Sequence, residues 1–392
     1  MKKILNDNPY IYHDPECTGS STFKTYFSKP SYWFNWHYFI GLNNISSVDI
    51  FKYMNKKLIK LVQNQHAFLI FNWETEGFDP FKYFDILKHN CDLYSIPYKS
   101  IVYVTSNLLD PQHNYTYFHK DHNRFNILAY LHFIVKDKQM LFKQYDWKDE
   151  VNVNIHWKMF VDGFTKNYNN KIYSSLSRRN RLHRIYANYL LSKSDIFDYG
   201  LISQDIINES RVIELREKVF SVSNKSREDI ESDIRQWSST LPYTLDRTDF
   251  NENWGIECPN KTIFNSEISN QVLFQIVNET LIDSSSIFIS EKTANSIANF
   301  EPFVIYGNRY INKTLKDYGY LLFEELFDYS FDDIDDPYIR FQALLEMVTP
   351  VIHKLQKLSK KEKMNVRLSL RDKLVHNFKL LSTYDPTTTK LQ

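Results

Sequence analysis

The sequence predicts an α/β protein built on mostly parallel sheet. Short apolar runs that read as strands recur at intervals of ~20–30 residues, with helical stretches between some of them, which is the spacing of βαβ units. The first two runs end in polar residues, and in such sheets ligands bind beyond the carboxyl ends of the strands. The pattern restarts after residue 160, and 392 residues suffice for two domains.

Along the chain, residues 48–65 carry apolar positions at helical spacing, and 67–72 form a compact strand-like run. That run ends in an acidic turn holding Glu74 and Glu76. A helix is expected over 81–91 and strands over 100–105 and 125–130. In the second half, 171–176 reads as a strand, followed by a basic stretch from Arg178 to Arg184 and a helix over 184–192. Residues 222–262 are polar, include Pro242 and Pro259, and read as a long connection with 222–236 helical. Strands are expected at 274–280 and 303–307, the run 287–293 leads into a helix over 294–299, and a further helix is expected at 311–318. Residues 341–382 read as helical throughout.

Composition excludes several function classes. Lys and Arg number 48 against 47 Asp and Glu, so no global charge draws the chain to nucleic acid or anionic lipid. The 8 glycines are scattered, none closer than 12 residues to another. Walker and dinucleotide loops need clustered glycines for close backbone approach to phosphate, so neither is present. A nucleotide bound here must be held by side chains or helix ends. Cys17, Cys91 and Cys258 are too dispersed for a metal or redox pair, which favours a reducing compartment. The polar N-terminus and the lack of any run of ~18 apolar residues give no export signal or membrane span, so a cytoplasmic location is expected.

The densest pattern lies between 274 and 334. The run ending in Glu279 and Thr280 matches a "VTET" strand end, and Ser290, Glu291, Lys292 and Thr293 match an "FxSEKT" signature. Glu301 to Gly307 match "xPFIxxG", residues 315–323 match "LKxLGFxTF", and 327–334 match "xDExYDDI". Upstream, Arg181, His183 and Arg184 match "RxHR", 101–107 match "IIYxTGN", and Glu76, Gly77 and Phe78 match "EG(F/Y)". These runs resemble a family of phage-type glycosyltransferase-like proteins. The family's C-terminal half is similar to the nucleotide-binding half of the α1,3-fucosyltransferases.

The resemblance implies a GT-B architecture, two Rossmann-like domains facing across a cleft, with C-terminal helices. The expected divisions are an acceptor-side domain over 1–160, a nucleotide-sugar domain over 161–350 and a basic helical segment over 351–392. The expected reaction is metal-independent, inverting transfer from a nucleotide-diphosphate sugar to a hydroxyl of a modified DNA base or a surface glycan. In a phage setting that places it in the host cytoplasm. No further cofactor is expected, and oligomeric state is left open. The family's Glu-Lys pair corresponds to Glu291 and Lys292. Its preceding Asn falls closest to Thr280, beside Glu279.

The residues suit that chemistry. A leaving nucleoside diphosphate gathers negative charge, and without metal it needs fixed cations and donors. Lys292 at a helix start combines a point charge with helix amides capped by Ser290. Arg184, with Arg181, offers a guanidinium fork to phosphate oxygens. Glu291 can accept both ribose hydroxyls. The acceptor hydroxyl needs a general base, for which Glu76, or else Glu74, is the candidate.

Plainer readings compete at each point. Ser-Glu-Lys-Thr is also an ordinary helix start with Ser290 as cap. The 178–184 run is also a solvated basic turn, and Glu74 or Glu76 an exposed loop carboxylate. The acids between 327 and 336 lack EF-hand spacing, and no histidines are spaced for zinc. The tail carries basic residues at 354, 357, 360, 361, 363, 367, 371 and 373, either a packed helix with a solvated face or a polyanion contact. Two rival functions follow: a nucleic-acid-binding module, or a catalytically inactive glycosyltransferase fold serving as a structural protein.

Overall fold

The computed structural model describes residues 11–12, 31–35, 49–52, 54–73, 81–105, 107–109, 126–129, 152–177, 179–223, 225–243, 266–284 and 286–384. The chain divides into two compact units. One comprises Met1–Val135, Ser284–Phe288 and Asp385–Gln392, the other Lys136–Asp283 and Ile289–Tyr384. Both are α/β with parallel sheet. Among the described residues no helix is long and apolar enough to cross a membrane.

In the first unit, β1 (Ile11–Tyr12), β2 (Ser31–Asn35), β3 (Phe68–Trp73), β4 (Ile101–Thr105) and β6 (Asn126–Ala129) form one sheet in the order β1-β2-β3-β4-β6. All neighbours are parallel except β1 with β2. Helix α1 (Lys56–Gln63) starts later than the periodicity suggests. Asn55 caps it by accepting from Lys57 N at 2.8 Å, and Asp49 instead turns the chain by accepting from Phe51 N. With α2 (Phe81–Leu93) it covers a core of Phe51, Leu58, Val62, Leu69, Phe71 and Tyr103. Ile70, between the two core-facing residues of β3, is buried as well, so the strand is covered on both faces, as parallel sheet requires. A short strand, β5 (Asn107–Leu109), follows β4.

The second unit opens with α3 (Val153–Asn167), capped by Asn152. Then come β7 (Tyr173–Ser177), α4 (Leu182–Lys193), β8 (Gly200–Gln204), α5 (Glu209–Ser221), α6 (Arg227–Ser238), α7 (Ser266–Ser269) and β9 (Phe274–Asn278). The chain leaves this unit for β10 (Ser286–Phe288), which pairs antiparallel with β5. It returns for α8 (Glu291–Ala298), β11 (Phe303–Tyr306), α9 (Ile311–Asp317), α10 (Pro337–Gln356), α11 (Lys360–Ser369) and α12 (Arg371–Thr383). The sheet order is β11-β9-β7-β8, all parallel. Every residue of β9 and β11 is buried because both faces are covered.

The C-terminal stretch, expected as one helical run, is three helices. Ser359 and Glu362 form a reciprocal capping box that starts α11, and α12 begins after Leu370. Several of its basic residues face inward. Lys363 is 3% exposed and donates to Asn170 Oδ1 at 2.9 Å. Arg367 is fully buried, donating to the carbonyls of Ser269, Val272, Asn299 and Phe300 over the rings of Phe160 and Phe164. Lys373 is paired with Glu324 and Glu325. These groups tie the C-terminal helices to loops and helix ends of the same unit, which leaves a polyanion contact fewer cations than the sequence suggests.

Candidate anion site at the switch point of the second sheet

In the second sheet β8 lies on one side of β7 and β9 on the other. The chain therefore reverses its direction of travel across the sheet between β7 and β9. Ligands of open α/β sheets bind outside the carboxyl ends of strands at such a switch point. The two segments leaving it are 179–184, from β7 into α4, and Glu279 with Thr280, from β9.

Below this point lies a buried polar floor. Asn278 Nδ2 donates to Ser175 Oγ and Ser177 Oγ, both at 2.9 Å. Ser175 Oγ meets Asn188 Oδ1 at 3.2 Å, and Asn188 Nδ2 reaches Ser203 O and Gln204 Oε1 at 3.0 Å. These bonds join β9, β7, β8 and α4 and hold the strand ends in fixed register.

Helix α4 breaks the usual rule for a helix start. Arg181 stands at its N-cap without a side-chain cap bond, and its first turn holds no acid. The positive end of a helix dipole favours acids, by ~0.3–1 kcal/mol each, and disfavours cations. Here it carries Arg181 and Arg184 instead. Arg181 Nη1 donates to Thr280 O at 2.8 Å. Arg184, 2% exposed, donates to Glu279 O from Nε at 3.3 Å and Nη2 at 3.1 Å. Its Nη2 also lies 3.4 Å from Thr280 Oγ1, while its Nη1 has no hydrogen-bond acceptor among the described residues. The fork expected to meet phosphate is thus partly engaged by backbone, and the Nη1 edge is what remains.

Helix α8 supplies the second helix end. Ser290 caps it, accepting from Lys292 N at 3.3 Å, so the helix begins at Glu291, ahead of the expected 294. Lys292 Nζ donates to Glu291 Oε1 at 2.7 Å and to Ser290 Oγ at 3.3 Å. The Glu291 and Lys292 side chains remain 40% and 21% exposed.

Glu279 joins the two helix starts. Its side chain is fully buried. Oε1 accepts from Ser290 N at 3.1 Å and Thr293 Oγ1 at 2.6 Å, and Oε2 from Thr280 N at 3.1 Å. Its main-chain oxygen also accepts from His183 Nε2 at 2.9 Å, and its main-chain N donates to Tyr306 O at 2.8 Å.

The pKa shifts of the groups here reflect a positive field. Burial, then Arg184, pushes the His183 imidazole down to about 3, so it is neutral and carries its proton on Nε2 towards Glu279 O. Burial and then Arg181 lower the Arg184 guanidinium to about 10. Partial desolvation would raise the Glu291 carboxyl, but Lys292, with help from Arg184, brings it down to about 2.

The structure therefore brings together Arg181, Arg184, Glu279, Thr280, Ser290, Glu291 and Lys292 around one strand end. Sequence reasoning assigned no role to His183 or Thr293. His183 lies inside the Arg-x-His-Arg match, and Thr293 completes Ser-Glu-Lys-Thr, so both signals were present. Glu74 and Glu76 lie outside the described residues, as does Arg178. Among the described residues no group of three or more His, Cys, Asp or Glu could hold a metal ion. No protein-family model, curated protein or solved structure matches this chain.

Proposed function

We propose that this chain is a nucleotide-sugar-dependent glycosyltransferase of the GT-B type. The observation that carries the reading is the uncapped, acid-free start of α4, with buried Arg184 and neighbouring Arg181, beside the start of α8 at a sheet switch point. Cations placed on the positive end of a helix are stabilised by an anion, and a diphosphate supplies one of the right size and charge.

In this reading the second unit binds the donor and the first the acceptor. Lys292 and the Nη1 edge of Arg184 meet the diphosphate, and Glu291 accepts the ribose hydroxyls. The acceptor hydroxyl attacks the anomeric carbon with inversion while the bond from that carbon to phosphate oxygen breaks. The nucleoside diphosphate leaves with its growing charge matched by fixed cations. Glu76 takes the acceptor proton, with Glu74 as the alternative base. The acceptor is a modified DNA base or a surface glycan, and no metal or further cofactor takes part.

A thermal-shift screen of nucleotide sugars tests the donor assignment. Ligand at 100 Kd stabilises by about 2.7 kcal/mol, a readily measured shift. The reading expects one nucleoside diphosphate class to stabilise the wild type and to lose that effect in Lys292→Ala. No stabilisation by any member of the panel counts against it.

A further inference from the structure

Glu279 has the position of a ligand-binding acid, at a strand end beside a basic helix start, but both of its carboxylate oxygens are turned inward. Oε1 holds the amide of Ser290 and the hydroxyl of Thr293, which fixes the start of α8. Oε2 holds Thr280 N, and Thr280 O is the acceptor of Arg181 Nη1. The main-chain oxygen of the same residue takes His183 and Arg184. Gly307 packs so closely that a Cβ there would stand 3.1 Å from Glu279 Cβ. Nothing in this arrangement leaves the carboxylate available to a ligand.

We infer that Glu279 is a positioning residue. It does not touch the anion. It locks the start of α8 through one oxygen and, through Thr280 on the other, sets the placement of Arg181, so that two helix starts and their cations face a diphosphate in one geometry. The inference rests on the anion-site reading of the proposed function.

The two oxygens allow the arms to be separated. Gln at 279 keeps one oxygen. Placed at the Oε1 position, that oxygen satisfies two donors, so the amide NH2 occupies the Oε2 position and opposes Thr280 N–H, donor against donor. Glu279→Gln therefore unhooks Thr280 and with it Arg181. If Glu279 acts through Arg181, its effect must vanish once Arg181 is gone.

The experiment is a double-mutant cycle read by calorimetry, with inorganic pyrophosphate and a panel of nucleoside diphosphates as probes. Glu279→Gln and Arg181→Ala are each expected to weaken pyrophosphate binding about tenfold, the scale of one charge-assisted hydrogen bond. The double variant is expected to bind no more weakly than Arg181→Ala alone. Additive losses, or no loss in Glu279→Gln, overturn the inference. Thr293→Val, which replaces the hydroxyl that donates to Oε1 by a methyl group of similar size, serves if Glu279→Gln does not fold. It should weaken binding, and Thr293→Ser should restore it; unchanged binding in Thr293→Val overturns the inference. Wild type that binds pyrophosphate, but no nucleoside diphosphate more tightly, removes the nucleotide-sugar reading, and the cycle still decides the role of Glu279. Wild type that binds no pyrophosphate at millimolar concentration overturns both.

Discussion

Gly307→Ala places one methyl group against the centre of the candidate site. An added Cβ would stand 2.8 Å from Ile311 Cδ1, 3.1 Å from Glu279 Cβ and 3.5 Å from Glu279 Cγ. The Ile311 contact is with the far end of a side chain and is relieved by rotation. The Glu279 contact is not, because Cβ moves only with the backbone. That backbone is fixed by Glu279 N on Tyr306 O and by His183 and Arg184 on Glu279 O. Overpacking of this kind costs ~1–3 kcal/mol. At ~2–4 °C per kcal/mol for a unit of this size, the unfolding midpoint should fall roughly 2–12 °C. Nucleoside diphosphate binding should weaken by about tenfold or more, since displacing Glu279 disturbs both helix starts. Gly319→Ala is the matched control. Gly319 has φ +91° and its Cβ would meet only Leu380, at 3.4 Å. Alanine in that left-handed region costs ~1–2 kcal/mol of stability. Calorimetric titration and thermal unfolding of both variants decide the matter. Equal binding in the two at similar stability loss would refute the argument that Glu279 links packing to the site.

Glu301 predicts a pH dependence: burial pushes its carboxyl up to about 7 from 4.5, with Arg367 opposing. The folded chain holds a proton through that window that the unfolded chain has released, so this group's contribution to stability falls as pH rises from 4.5 to 7. The stability of Glu301→Gln relative to wild type should rise by at most about 3 kcal/mol between pH 5 and 8, and a flat difference in denaturant titrations contradicts it. Glu76→Gln is expected to reduce transfer by ~10²–10⁴-fold with donor affinity almost unchanged. If Glu74→Gln alone shows that pattern, the base is Glu74. Transfer is expected to survive EDTA; loss restored by Mn²⁺ or Mg²⁺ would overturn the metal-independent reading.

The sheet strands were legible where burial on both faces leaves a near-continuous apolar run, as in β3, β4 and β11. β8 was not, because Gly-Leu-Ile-Ser-Gln is short and its last two side chains are polar yet buried in the floor beside Asn188 and Tyr243. The break before α11 was legible in Ser359 and Glu362 but was masked by the apolar period running through it. Lys363 and Arg367 read as a solvated face because sequence shows their charge and not the carbonyls and rings that receive them. At the candidate site, residue types and the family resemblance pointed to Arg184, Ser290, Glu291 and Lys292, which the fold places around one strand end. The inward turn of Glu279 was not legible. Its partners Ser290 and Thr293 stand 11 and 14 residues away, and only the fold brings them to one carboxylate.

Under the proposed function, the second unit's switch point binds the diphosphate of a sugar donor and supports its cleavage. Release of nucleoside diphosphate from a panel of nucleotide sugars, followed by chromatography for wild type and Lys292→Ala, tests it most directly. Wild type should release nucleoside diphosphate from one donor class, faster with the true acceptor present, and Lys292→Ala should not. Near-wild-type release in Lys292→Ala, or no release from any donor by the wild type, would contradict it.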